Sequence, residues 1–292
     1  MIKDFCEKLN FPQEATDVLY AVWQKFMENP EDAQDLKLAE VKLHTPWDDD
    51  WQKPLQAIAD RTGTPRETVN MVLLLMAIEP LKKKYQDNHL PEQLMWDSMV
   101  DLTCKLWECR NVRGIWGTFV PSWYKGFYVL DLFKLGRLEY ERKVFKREPY
   151  HDFQPGDVVV GCHIPSAGPL TTEEVMQSLR LAWEFYKDTH KNGKLLVMCD
   201  SWLLYPEYHD HVFPEGSNLQ KFQEMFEIIF WDYQRKKGDF WRIFNVDYAP
   251  EVLDSVPTDT TLRRNMWNFL KAGNEMGSAL GYLVFDGEKI IR

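Results

Sequence analysis

The sequence predicts an α+β or α/β fold in which an N-terminal helical bundle precedes an α/β domain built on a mixed sheet. Apolar residues recur at helical spacing through the first 110 residues, and beyond them short apolar runs alternate with amphipathic segments. At 292 residues the chain also exceeds the size of one typical domain. We therefore expect two domains, residues 1–112 and 113–292.

Turn residues and apolar spacing predict the first helices. A helix over 51–62 should end at Gly63, because glycine readily takes the left-handed conformation that closes a helix. Thr64 should then cap the next helix, with Pro65 at its first position and Glu67 reaching back. That helix carries VNMVLLLMAIEPL, which is apolar on nearly all sides, so we expect it at the centre of the bundle.

Prolines mark the next boundaries. Pro80 should kink or end the central helix, since proline cannot donate the helical hydrogen bond. Pro91 should open another helix with one apolar face, and residues 123–133 predict a helix that links the two domains.

Strands and helices alternate in the second half. Leu135–Phe145 alternates in polarity as a half-buried strand does, and a turn over 154–157 should join it to the next strand. The expected strands are 136–146, 158–163, 194–199, 240–246 and 279–285, and the expected helices are 172–190, 218–233 and 259–272. Short connections of this kind predict one sheet with an antiparallel part.

The segment Val158–Phe185 carries the most information about function. A buried strand ends near Pro165, a small-residue loop follows, and Thr171 stands three residues before Glu174 in the spacing of a capping box. A loop that leads into a helix N-terminus can cradle an anion, because the first N–H groups lack partners and the helix dipole favours negative charge. Many α/β proteins carry such turns and bind nothing there, so both interpretations stay open.

Charge and hydropathy exclude several classes of function. A net charge of −10 argues against a nucleic-acid-binding protein, since neutralising phosphates requires clustered Lys and Arg. LQAIADRTGTPRETVNMVLLL imitates a helix-turn-helix, but two packed bundle helices explain it better in so acidic a region. No 18-residue apolar run predicts a membrane span, and the first residues do not predict a signal peptide.

Cysteine and histidine spacing does not predict a metal site. The five cysteines are irregularly spaced, which suits a reduced, cytoplasmic protein. His209 and His211 form an HxH pair, and a metal would need a third ligand such as Glu207 or Asp200. Because no spacing fixes that geometry, we expect no metal.

Polar residues follow two of the predicted strands. His163 ends one strand, and Asp200 and Ser201 end the next. Ligands of open α/β sheets collect outside the carboxyl ends of the strands, so neighbouring strands would bring these side chains into one crevice. An imidazole or carboxylate there could take a proton from an amine. The alternative is that His163 is a hydrogen-bonded structural histidine beside the helix.

Several segments resemble bacterial acyltransferase domain-containing proteins, which have a helical N-acyltransferase N-terminal domain and a GNAT-like C-terminal domain. GTPRETVNMVLLLMAIEPLKKKYQDNHLPEQLMWDSMVDL resembles the first domain, and FKLGRLEYE, CHIPSAGPLTTEEVMQSL, CDSWLLYP and VPTDTTLRRNMWNFLKAG resemble blocks of the second. The resemblance spans roughly residues 60–285 in consistent order. It implies a GNAT-like order of strands and helices around a loop that binds the pyrophosphate of CoA.

The strand ends and the resemblance together give a set of candidate site residues, of which the resemblance supplies the loop and Tyr233. The catalytic candidates are His163, Asp200, Ser201 and Tyr233, and the cofactor-binding candidates are Ile164, Ser166, Ala167, Gly168, Leu170, Thr171 and Thr172. The usual GNAT loop reads Q/R-x-x-G-x-G/A, whereas this one reads SAGPLTT, in which Pro169 removes one N–H donor. Glu139 is a further candidate base, on the preceding strand.

The predicted function is transfer of an acyl group from acetyl-CoA or another acyl-CoA to an amine. The acceptor would be a small-molecule amine or a peptide, with no nucleic acid, membrane or metal involved, in the cytoplasm. The alternative is a catalytically degenerate GNAT-like module that binds a ligand or a protein. The acyl donor, the acceptor and the oligomeric state stay open at this point.

Overall fold

The computed structural model describes residues 1–234 and 237–291, and the chain divides into two compact units, Met1–Phe133 and Lys134–Arg292. The first unit is helical, and none of the described helices is long and apolar enough to cross a membrane. Its helices are α1 (Ile2–Lys8), α2 (Gln13–Glu28), α3 (Pro30–Leu43), α4 (Lys53–Thr62), α5 (Arg66–Met76), α6 (Ile78–Asp87), α7 (Glu92–Met99), α8 (Asp101–Arg113) and α9 (Lys125–Tyr128).

Helix α5 forms the centre of this unit, as its apolar sequence predicts. Every residue from Thr68 to Met76 is buried, and α5 packs against α1, α2, α3, α4 and α8. Gly63 closes α4 in the left-handed conformation, with φ of +68°. The predicted capping role of Thr64 is wrong: α5 is preceded by Pro65 without a side-chain cap, and the Thr64 hydroxyl instead accepts from that of Thr62 at 2.9 Å.

Two further boundaries follow from backbone chemistry. Pro80 interrupts the helical run as expected: it has no N–H to offer the Met76 carbonyl, and α5 ends at that residue. The predicted linking helix over 123–133 is wrong beyond Tyr128. Leu130 turns the backbone to φ of +63°, and a strand begins two residues later.

The second unit is organised around one mixed sheet, as predicted. From Leu132 onward the elements are β1 (Leu132–Leu135), β2 (Leu138–Val144), β3 (Val158–His163), α10 (Thr172–Phe185), β4 (Leu195–Ser201), α11 (Tyr208–His211), α12 (Asn218–Glu224), β5 (Glu227–Tyr233), α13 (Phe240–Phe244), α14 (Thr261–Lys271), β6 (Gly277–Phe285) and β7 (Ile290–Ile291). The strand order is β1-β2-β3-β4-β6-β5, with β7 beside β6. Only β3 and β4, among the pairs whose register is described, run parallel; the others are antiparallel.

Side-chain alternation gives this sheet two distinct faces. On the face covered by α10, the Tyr140 hydroxyl lies 3.0 Å from the Ser178 hydroxyl, and the Tyr186 hydroxyl donates to the Tyr140 carbonyl at 2.8 Å. The opposite face carries a separate apolar cluster. It consists of Phe145, Phe153, Val159, Leu196, Tyr282 and Val284.

Two element predictions are wrong in the region after α12. The helix expected over 218–233 ends at Glu224, and EIIFWDY, rich in β-branched and aromatic residues, forms the edge strand β5. The strand expected over 240–246 is the short helix α13, which ends where Asn245 turns left-handed at φ of +58°. Helix α10 also stops at Phe185, earlier than predicted.

Candidate functional site

Strands β3 and β4 separate at their carboxyl ends. Their ladder stops at the Cys162–Cys199 pair. Beyond that pair, β3 stays paired with β2 as far as His163, and β4 stays paired with β6 as far as Ser201. Each strand therefore follows its outer neighbour, and we call the place where the two strands part, beyond the Cys162–Cys199 pair, the crevice.

The last paired residues are two buried thiols. A hydrogen bond with Cys199, together with burial, raises the pKa of the Cys162 thiol well above its ordinary value. A thiol with a raised pKa stays protonated near neutral pH and is a poor nucleophile. These cysteines are therefore unsuited to act as nucleophiles, and they mark the end of the β3–β4 pairing on the face covered by α10.

The loop between β3 and α10 leads into a capped helix, as the sequence predicts. The Glu174 N–H donates to Oγ1 of Thr171 at 3.3 Å, and that hydroxyl donates to Oε2 of Glu174 at 2.6 Å. Helix α10 begins at Thr172, so the predicted cap is confirmed. Gly168 has φ of +87°, a conformation that side-chain-bearing residues rarely adopt.

The predicted cofactor-binding residues form this loop and its borders, and they differ in solvent exposure. Ser166, Gly168 and Thr172 are exposed, whereas Ile164, Ala167 and Thr171 are half-buried. The Leu170 side chain is buried, so only its backbone can serve a ligand.

Arg137, which the sequence analysis did not select, supports the loop. Its Nε donates to the Pro169 carbonyl at 2.8 Å, and its two terminal nitrogens donate to the carbonyls of Pro165 and Gly168, each at 2.9 Å. The side chain is nine-tenths buried. It follows Gly136 in the turn between β1 and β2, which a reader of the sequence alone would take for a surface turn.

His163 belongs to a charged group on the open face of the sheet. Its Nε2 lies 2.6 Å from Oε1 of Glu141, which also receives Nζ of Lys143 at 2.7 Å. Burial by itself favours the neutral acid, but the hydrogen bonds from His163 and Lys143 hold the pKa of Glu141 below its usual range. The carboxylate is therefore ionised. Glu139 lies directly opposite His163 in the ladder and is buried.

Asp200 lies beside His163. Because Cys162 pairs with Cys199, the next residues of the two strands both project from the opposite face, so the structure brings together the two predicted bases. Burial, and then the negative charge of Asp239, raise the pKa of Asp200 above its ordinary value, against the opposing influence of His163 and Arg147. Two acid–base groups therefore line one crevice.

Ser201 and Tyr233 are not brought to this face. The Ser201 hydroxyl accepts from the Leu203 N–H at 3.2 Å and so caps the turn after β4. Tyr233 is at the end of the edge strand β5 instead of a helix, opposite Gly277 and 47% exposed. Its ring packs edge-on against Trp231, with centroids 5.6 Å apart.

Other candidate sites in the sequence have structural partners. The helix that imitates a DNA-reading helix is α5, in which buried Asn70 donates to the Thr118 carbonyl and Arg66 donates to the Gln52 carbonyl. His209 lies against Asp210 and Glu224. Across the residues that the structure describes, no three His, Cys, Asp or Glu side chains are placed to hold a metal ion.

Comparison with known families covers nearly the whole chain. Residues 1–129 match the family described as N-acyltransferase N-terminal domain, and residues 132–283 match the family described as GNAT-like C-terminal domain. No curated protein matches the chain.

Solved structures of acyltransferases share the fold. One, in complex with decanoyl-CoA and teicoplanin, is 18% identical with a TM-score of 0.72 and covers 96% of this chain and 86% of its own. A mutant acyltransferase with octanoyl-CoA is 17% identical, with the same TM-score and coverage. A third, in complex with decanoyl-CoA, is 20% identical with a TM-score of 0.63 and covers 96% and 98%. With identities this low, the TM-scores show a common fold and nothing more.

Proposed function

We propose that this chain, which belongs to the family that joins an N-acyltransferase N-terminal domain to a GNAT-like C-terminal domain, moves an acyl group from an acyl-CoA to an amine. The observation that carries the proposal is the crevice between β3 and β4, which opens beside the capped N-terminus of α10. A thioester lying along it would have phosphates at the loop and its carbonyl carbon near His163 and Asp200.

The loop supplies the donor site. In the described part of the chain, the N–H groups of Ala167, Gly168 and Leu170 donate no backbone hydrogen bond. They stand with the first turn of α10, where Thr172 begins the helix and the dipole favours an anion. We assign the CoA pyrophosphate to this position, with Ile164, Ser166 and Thr171 at its border.

The crevice supplies the chemistry. The amine nitrogen attacks the thioester carbon, the carbon–sulfur bond breaks, the nitrogen loses a proton and the CoA thiolate takes one up. An ionised Glu141 accepts from Nε2 of His163 and holds the ring at the end of β3, so His163 is the first candidate base. Asp200 is the second candidate base. Ser201 and Tyr233 stay predictions. Both lie on the face of the sheet opposite His163 and Asp200, so we give them no step in this scheme.

A binding module without turnover is the second candidate function. The loop favours it in one respect, because Pro169 replaces a backbone donor that the usual GNAT loop provides. Such a module would bind CoA in the same crevice and leave the thioester intact.

The proposal extends to the acyl donor, the acyl acceptor and the cellular compartment. The similar acyltransferase structures hold octanoyl- and decanoyl-CoA, and one holds teicoplanin, so medium-chain donors and amine-bearing glycopeptides are the first substrates to test. We place the reaction in the cytoplasm, a reducing compartment that suits five free cysteines.

Calorimetry with acetyl-, octanoyl- and decanoyl-CoA tests the proposal, followed by release of free CoA thiol in the presence of amine acceptors. Saturable binding with amine-dependent thiol release is the expected result. Binding without thiol release from any acceptor supports the module, and the absence of binding by all three thioesters rejects both functions.

A further inference from the structure

We infer that Arg137 is a positioning residue that holds the loop between β3 and α10 in the form that receives the CoA pyrophosphate. The inference rests on the proposed function, because it gives a role to a residue behind the loop and not to one that touches the ligand.

Arg137 binds three backbone carbonyls of the loop. Its guanidinium donates to the carbonyls of Pro165, Gly168 and Pro169 at 2.8–2.9 Å. Three carbonyls within five residues therefore point inward, toward one buried cation. A planar fork of donors can hold them together, whereas the point charge of a lysine cannot reproduce the geometry.

Peptide geometry turns this inward anchoring into an outward-facing site. The C=O and N–H of a trans peptide point in opposite directions. With the Pro165 and Pro169 carbonyls fixed on Arg137, the N–H groups of Ser166 and Leu170 point away from it. The third anchored carbonyl belongs to Gly168, and the next residue is Pro169. That peptide therefore has no N–H to offer a ligand.

The buried charge also acts on the ligand. A guanidinium directly behind the loop adds positive potential to that of the α10 dipole, on the side where an anion would approach. This compensates for the departure of SAGPLTT from the usual glycine-rich loop: the loop has fewer donors of its own and a cation fixed behind them.

Calorimetry on the full chain with two ligands tests the inference. CoA contains the pyrophosphate, and pantetheine is the part of CoA without it. For Arg137→Met and Arg137→Lys we expect CoA binding to weaken roughly tenfold to a hundredfold, as displaced positioning groups generally cause, with pantetheine binding unchanged. Arg142→Met, on the strand that follows Arg137, is the matched control, since Arg142 binds Asp188 at 2.7 Å. Guanidinium at low concentration should restore CoA binding to Arg137→Met but not to a Gly168→Val variant.

The outcomes separate this inference from the proposed function. If wild-type protein binds no CoA, the proposed function fails. If wild-type protein binds CoA and Arg137→Lys binds it equally well, the inference alone fails. Equal loss of CoA and pantetheine binding in both Arg137 variants would mean that Arg137 only supports the fold, which also overturns the inference. Should Arg137→Met not fold, Arg137→Lys and the two-ligand comparison still decide.

Discussion

Glu141 orients the imidazole ring of His163. The position of His163 at the end of β3 does not fix that orientation by itself. The carboxylate is ionised and lies 2.6 Å from Nε2, so it fixes the orientation of the imidazole ring. The same orientation by a carboxylate is what makes histidine an effective base in hydrolase triads. His163 could be selected from the sequence, but Glu141 could not, because its role depends on the register of β2 against β3.

Replacing His163 with alanine should lower acyl transfer by roughly 10²–10⁴-fold, the usual contribution of a well-placed general base. CoA affinity should stay nearly unchanged, since His163 is not part of the loop. Glu141→Gln should also lower the rate while preserving shape, because a neutral amide lacks the charge with which the carboxylate orients the His163 ring. Steady-state rates and calorimetry on the same preparations measure both effects. Full activity in His163→Ala, with loss in Asp200→Asn, would transfer the base role to Asp200.

His44 makes the helical unit sensitive to acid. Burial, and next the charge of Lys84, lower the pKa of His44 from 6.5 to about 4. As pH falls below 6.5 the unfolded chain takes up a proton that folded His44 refuses, so stability is complete above that pH and is lost down to about pH 4. We expect this residue to account for roughly 3 kcal/mol of the loss.

Urea unfolding between pH 7 and pH 4.5 measures this effect. A His44→Gln variant should show a flatter dependence of stability on pH than wild type. His89→Gln is the control, because His89 is in the same unit and exposed. Identical slopes in wild type and His44→Gln would contradict the prediction.

At the scale of elements, the N-terminus of α10 joins stability to ligand binding. Thr171→Ala should cost about 1 kcal/mol, since it removes the acceptor of a helix N–H. Thr260→Ala is a matched control, because Thr260 caps α14 in the same way, with the Arg263 N–H at 3.2 Å. Both variants should melt earlier, but only Thr171→Ala should weaken CoA binding. A Thr171→Ala protein that melts like wild type would refute the cap.

Gly168 allows a similar comparison between two loops. No atom lies within 4 Å of a Cβ added at Gly168, so a substitution there is opposed by its φ of +87° and not by crowding. Gly216, with φ of +68° and the same open space, lies outside the crevice. Valine at either position should destabilise the fold by about 1–3 kcal/mol. Only Gly168→Val should weaken CoA binding, and equal binding by the two variants would exclude the loop as the phosphate site.

The sequence predicts elements well where local signals agree. From β3 to α10, an apolar run, a proline, a glycine and a capping threonine all indicate the same structure, and the structure confirms it. After α12 the local signals are ambiguous. EIIFWDY extends a helical sequence, and only pairing with β6 makes it a strand. Arg137 was missed for a related reason: its partners are carbonyls about thirty residues away.

At the scale of the molecule, the negative charge of the chain and the proposed phosphate site are separate features. The first 110 residues hold 13 basic and 20 acidic residues, while the loop that we assign to phosphates uses backbone N–H groups and a buried arginine. Because the proposed anion site would rest on dipoles and one buried cation, the net charge of the chain does not oppose it. The charge argues against nucleic acid as a partner but does not argue against a small anionic ligand.

The last prediction concerns the boundary between the two domains. Composition and compactness place that boundary at different residues. Composition places it near residue 112, whereas compact units meet after Phe133. Hydrogen bonds from Thr68 and Asn70 to the carbonyls of Trp116 and Thr118 hold residues 116–118 on α5, so we expect this segment to resist cleavage.

Limited trypsin digestion followed by mass spectrometry distinguishes the two. We expect the first cut in the exposed segment 146–149 after β2, and slow cleavage at Arg113. The double variant Thr68→Ala, Asn70→Ala releases both carbonyls and should make Arg113 a fast site, while Thr103→Ala, which breaks a hydrogen bond to Leu9, should not. A first cut of wild-type protein within 107–122 would instead support the boundary at 112, because a segment bound to α5 must detach before a protease can act on it.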